Sequence, residues 1–129
     1  MEITIKQNIT VTEQDIDDIV CTALEGGINY WCDNVEVNGD YLGEYASDQI
    51  SRNGQLKFYV FDPVNDTDMF VLDKDNFIKG LRMYLEDPKP PYDITGTNHG
   101  KPVLDLCNCD AVVADMIIQY ALFDEIVFG

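Results

Sequence analysis

The chain has 129 residues, 46% of them hydrophobic, which is one domain's worth and enough to bury a core without staples. Eight Lys and Arg stand against 24 Asp and Glu, a formal charge of −16. A one-signed field of this kind repels nucleic acid and anionic membrane, which sets both aside as partners, and no run approaches the ~20 apolar residues of a membrane span.

Taken in chain order, Ile3, Ile5 and Ile9 alternate with polar residues and predict a strand over residues 2–10. Thr12 is placed as an N-cap, with Glu13 and Asp15 in the first turn, where the helix dipole favours acids. Ile16, Ile19, Val20, Ala23 and Leu24 then follow helical spacing. Gly26-Gly27 ends that helix or admits a close neighbour. The run Ile28 to Cys32 reads either as a last helical turn or as the start of a strand through Val35 and Val37. Asn38-Gly39 is a turn signal, and residues 41–51 hold at most a short helix ending at Asn53-Gly54. Residues 56–61 and 69–72 are strand-like, with 62–66 between them as a hairpin loop. Asp73 or Asp75 caps a second helix with Phe77, Ile78, Leu81, Tyr84 and Leu85 on one face, stopped at Asp87-Pro88. Residues 88–102, rich in Pro, Gly, Asn and Thr, read as a surface loop. A final helix starts near Asn108 or Asp110 and faces the core with Val113, Met116, Ile117, Tyr120 and Ala121. The expected architecture is α+β: a single domain, 1–129, in which a small antiparallel sheet packs with three helices near 12–25, 74–86 and 110–123.

Catalytic chemistry finds little to work with. Hydrolysis needs a nucleophile and a base, usually His, and the one histidine, His99, lies in the loop-like segment. No phosphate-binding Gly-rich loop and no dinucleotide fingerprint occurs. The chain is therefore read as a binding protein and not as an enzyme. Met1 to Lys6 contain no signal-peptide core, so a cytoplasmic protein is expected, with its four cysteines as thiols or metal ligands. Cys107-Asn108-Cys109 is a C-x-C pair before a helix, where the helix N-terminus would lower thiol pKa values. With Cys32 and His99 it makes a Cys₃His set for zinc, Asp105 being a substitute ligand; the competing reading is buried or capping thiols. Tyr30-Trp31 after the paired glycines reads as a core anchor, the alternative being an aromatic binding platform.

The distribution of charge is more telling than its total. Residues 7–51 contain no Lys or Arg and ten acids: Glu13, Asp15, Asp17, Asp18, Glu25, Asp33, Glu36, Asp40, Glu44 and Asp48. Residues 102–129 contain no base and five acids, whereas 52–101 are nearly neutral. Such a surface steers a basic partner and raises its on-rate, and the ten acids are the expected contact residues; the plainer alternative is an acidic coat that aids solubility.

Two segments carry a resemblance: Ala23-Leu24-Glu25-Gly26-Gly27-Ile28-Asn29-Tyr30-Trp31-Cys32 with Gly43-Glu44-Tyr45-Ala46-Ser47-Asp48, and Gln119 to Gly129. Together they resemble a family of small acidic proteins encoded by phages and prophages of gut Firmicutes. Small acidic proteins from such elements include anti-CRISPR proteins, some of them metal-binding, that block the effector nuclease of type II systems. That nuclease holds nucleic acid in positively charged channels, which an acidic protein can occupy by imitating phosphates. The resemblance therefore implies an anti-defence inhibitor acting on a basic, nucleic-acid-handling host protein. The alternative is a zinc-stabilised structural or regulatory interaction domain of a prophage.

Overall fold

A computed structural model describes residues 8–129. The strand expected over 2–10 lies mostly outside the described residues; at its end, Thr10 bridges Val103 in parallel, with the Thr10 N–H donating to the Pro102 carbonyl at 3.0 Å.

Helix α1, Glu13–Thr22, opens on a reciprocal cap. The Asp15 N–H donates to Thr12 Oγ1 at 3.1 Å, and the Thr12 N–H donates to Asp15 Oδ2 at 2.9 Å. Two otherwise orphaned donors are thereby satisfied. Ile16, Ile19 and Val20 face the core, and the helix widens into a π turn, Ala23–Gly27. At Gly27 a Cβ would lie 2.8 Å from the Ala111 carbonyl oxygen, so glycine is what lets the next helix layer approach. The ambiguous run resolves as turns through Trp31, after which strand β1, Cys32–Asn38, begins.

Strands β1, β2 (Gln55–Val64) and β3 (Thr67–Leu72) form an antiparallel sheet in that order. The register aligns Val35 with Phe58 and Phe70, and Val37 with Leu56 and Leu72, so one face of the sheet is a continuous apolar layer. The β2–β3 turn is tighter than expected. Strand β2 continues through Val64, and the turn is Asn65-Asp66, with φ of 50° and 63°. Asn and Asp tolerate this left-handed backbone, which matches the twist of a two-residue hairpin.

Helix α2, Lys74–Glu86, is capped by Asp73 and buries Phe77, Gly80, Leu81 and Tyr84. Ile78 and Leu85 are only partly buried against the core. The expected loop over 88–102 is not a simple loop. It leads into a second antiparallel hairpin, β4 (Thr95–Asn98) and β5 (Lys101–Leu104), with His99-Gly100 as its turn at φ of 53° and 76°. The expected single sheet is thus two small sheets. The Tyr84 hydroxyl ties this segment to α2 by donating to the Tyr92 carbonyl at 2.6 Å.

Helix α3, Ala111–Phe123, is capped by Asp110 and packs on α2, α1, the π turn and β3. Being surrounded, it buries more than one stripe: Ala114, Asp115, Ile118 and Gln119 are buried alongside Val113, Ile117 and Ala121, while Met116 and Tyr120 are half-buried. Trp31, Tyr84, Phe58 and Phe77 are the largest fully buried side chains of the core. No helix among the described residues is long and apolar enough to cross a membrane.

Candidate partner-binding surface

The ten acids expected to contact a partner divide by function. Asp15 completes the α1 cap. Asp17 accepts from the buried Ser51 hydroxyl at 2.6 Å and so ties α1 to the segment before β2. Asp48 accepts from the Tyr45 N–H at 3.1 Å and caps the 3-10 turn Ala46–Asp48. These three hold the fold. Glu13, Asp18, Glu25, Asp33, Glu36, Asp40 and Glu44 are exposed. Among the described residues the single Lys–carboxylate pair is Lys79 with Asp124, so none of the seven is neutralised by a neighbouring cation.

The segment between β1 and the 3-10 turn adds apolar contact area to this charge. Tyr41 is 63% exposed, Leu42 47% and Tyr45 62%, and they alternate with Asp40 and Glu44. The loop is braced from below by Gln49, which is completely buried. The Leu42 N–H donates to Gln49 Oε1 at 2.7 Å, and Gln49 Nε2 donates to the Asp40 carbonyl at 3.1 Å. Arg52 Nη1 donates to the Leu42 carbonyl at 3.0 Å. Solvent-facing aromatic rings on a braced backbone lose little entropy on binding, the property that makes Tyr a recurrent anchor in protein interfaces. The short helix expected over 41–51 is only the 3-10 turn Ala46–Asp48, and the apolar residues of the loop before it were not foreseen as a contact surface. The missed signal is three large apolar residues set between acids in a segment with no helical or strand period.

A buried polar cluster joins the two acidic stretches. Asp115 is 7% exposed and accepts from three donors: Trp31 Nε1 at 2.7 Å, the Tyr30 hydroxyl at 2.5 Å and Gln119 Nε2 at 2.9 Å. A buried carboxylate without a cation is tolerable only when it is hydrogen-bonded in this way. Burial, then the hydrogen bond to Asp115, pushes the Tyr30 phenol up to about 12, so it stays a donor across the physiological range. Gln119 also clamps the segment after α3: its Oε1 accepts from the Val127 and Phe128 N–H groups, both at 2.9 Å. Phe128 thereby stacks on Trp31, ring centres 5.6 Å apart, while Phe123 meets Trp31 edge-on at 5.4 Å. Trp31 is a core anchor, as the sequence reading favoured, whereas Tyr30 keeps 53% of its surface exposed.

The proposed zinc ligands do not converge. Cys32 is buried at the start of β1, His99 is at the exposed tip of the β4–β5 turn, Cys107 is exposed in the 3-10 turn Leu106–Asn108, and Cys109 is half-buried before α3. Among the described residues no three His, Cys, Asp or Glu side chains are grouped as metal ligands, so the structure does not bring the Cys₃His set and Asp105 together. The thiol expectation also reverses. Burial and then the Asp110 charge push Cys109 up to about 11, and the hydrogen bond and charge of Asp105 raise Cys107. Burial at Cys109 and the Asp105 carboxylate at Cys107 outweigh the helix N-terminus.

Comparison with models of protein families, with characterised proteins and with solved structures yields no match to this chain.

Proposed function

We propose that this chain is a non-catalytic inhibitor that docks its acidic flank on a basic surface of a nucleic-acid-handling host protein. Its specific form is an anti-CRISPR protein that blocks nucleic-acid binding or cleavage by a type II effector nuclease, the direction given by the resemblance of 23–32, 43–48 and 119–129 to phage-encoded acidic proteins. The observation that carries the reading is the braced loop with exposed Tyr41, Leu42 and Tyr45, set among exposed carboxylates that have no cation partner. A coat that served solubility alone has no use for large rings held in solvent by a buried Gln49 clamp. The carboxylates would steer the encounter with Lys and Arg, and the rings would supply contact area that salt does not screen.

The test uses Asp33→Lys, Asp40→Lys and Glu44→Lys together, since all three side chains are exposed and the Asp40 carbonyl that braces the loop belongs to the backbone. Asp17 is left intact because it holds Ser51. Immobilised wild-type and triple-variant protein are incubated with the purified effector nuclease at low and high salt. The reading expects retention by the wild type that weakens with salt, and weaker, flatter retention by the variant. Equal retention of the nuclease by both proteins at every salt concentration would sink it.

A further inference from the structure

A cleft of about 510 Å³ opens beside the start of α3, within the range of roughly 300–1,000 Å³ usual for binding sites. Every residue lining it belongs to 26–30 or to 111–129. Both segments fall inside the two stretches that contain no Lys or Arg, 7–51 and 102–129. The fold therefore brings the two acidic flanks, distant in sequence, to one opening.

The chemistry of the cleft is divided. Its walls are apolar: Val112, Met116, Ile126 and Phe128 with the ring of Tyr30. Val112 and Ile126 are large apolar side chains left in solvent, at 54% and 39% exposure. Glu25, Asp110 and Glu125 are exposed and each adjoin a lining residue in sequence, and neither lining segment holds a Lys or Arg, so the charge near the cleft is acidic. The polar groups inside are already engaged. Asp115 accepts from three donors, and the Gln119 amide is spent on Asp115 and on residues 127–128. The cleft thus has no unengaged side-chain donor to orient an anionic metabolite, but it has apolar walls among acids.

We propose that this cleft receives one large apolar side chain of the protein partner, presented next to an Arg or Lys that meets these acids. The proposal rests on the acidic docking described above and gives it an anchor point at the seam of the two flanks. Charge complementarity selects a basic segment as the occupant, and the apolar walls select its anchor residue. The space beside Gly26 is open, since a Cβ there would meet nothing within 4 Å.

The experiment titrates the isotope-labelled full chain with two synthetic peptides, one of Arg and Gly only and one with a central Gly replaced by Trp. Burial of the added ring should tighten binding about ten- to hundredfold, with the largest amide shifts at Gly26, Val112, Met116 and Ile126. Gly26→Leu and, separately, Val112→Asp should abolish that difference while melting like the wild type, both positions being open to solvent. Equal affinity for the two peptides, or shifts confined to residues 33–48, overturns the cleft and leaves the acidic docking standing. If neither peptide binds at all, both readings fall.

Discussion

Helix propensity and close packing make opposite predictions for Gly80→Ala, which makes it a sharp test of the helix arrangement. Gly80 lies inside α2, where alanine would be preferred by about 1 kcal/mol on propensity alone. A Cβ at that position, however, would sit 2.5 Å from the Ile117 carbonyl oxygen, 2.6 Å from the Ala121 nitrogen and 2.8 Å from the Ala121 Cβ. Two of these three atoms are α3 backbone and cannot rotate aside, so α2 and α3 must separate along their contact. Overpacking of this kind costs about 1–3 kcal/mol, and allowing for propensity the worst cases leave a net loss of about 1–2 kcal/mol. For a domain of this size that is a fall in Tm of roughly 3–10 °C. Thermal and urea denaturation of the two proteins measure it directly. Adding Ala121→Gly should not restore stability, because the closest atoms are backbone and remain. A rise in stability of Gly80→Ala would refute the close approach of α2 and α3.

Further outcomes follow from individual contacts. Asp17→Ala should lower stability by about 1 kcal/mol by removing the acceptor of the Ser51 hydroxyl, whereas Asp18→Ala should leave it nearly unchanged; paired urea melts decide this. Alkaline titration followed by tyrosine absorbance should show one phenol ionising near 12, and in Asp115→Asn that phenol should return towards its ordinary value. Because the folded value is raised, the stability Tyr30 contributes is complete below the ordinary tyrosine range and is lost as pH rises from about 10 towards 12. Cys107→Ser with Cys109→Ser should melt like the wild type, and a chelator should not move either curve. Stoichiometric zinc in the purified protein, lost together with stability in that variant, would contradict the dispersed thiols.

The regular elements were legible because their signals are local. Thr12 and Asp15 announce a cap, and Leu56, Phe58 and Val60 alternate as a half-buried strand must. The β4–β5 hairpin was not legible, because Thr-Gly-Thr-Asn and Lys-Pro-Val-Leu are short, contain Gly and Pro, and look like a loop. Its turn residue His99 lies apart from the cysteines with which it was grouped, since spacing in sequence carries no distance in space. Asp115 and Gln119 had a readable sign: two polar residues four apart in a helix that is otherwise almost wholly apolar must find partners inside. What sequence could not separate was Asp17 from Asp18. They are adjacent and chemically identical, and only the position of Ser51 tells the acid that joins two segments from the one that accepts from Gln14 on its own helix.

The central claim is that exposed carboxylates and their braced aromatic loop inhibit a basic nuclease. Its most direct test is DNA cleavage by a purified type II effector nuclease with wild-type protein or the Asp33→Lys, Asp40→Lys, Glu44→Lys variant added. The account predicts inhibition by the wild type that fades as salt rises, and little inhibition by the variant at any salt concentration. Unchanged cleavage in the presence of the wild type, or equal inhibition by both proteins, would contradict it.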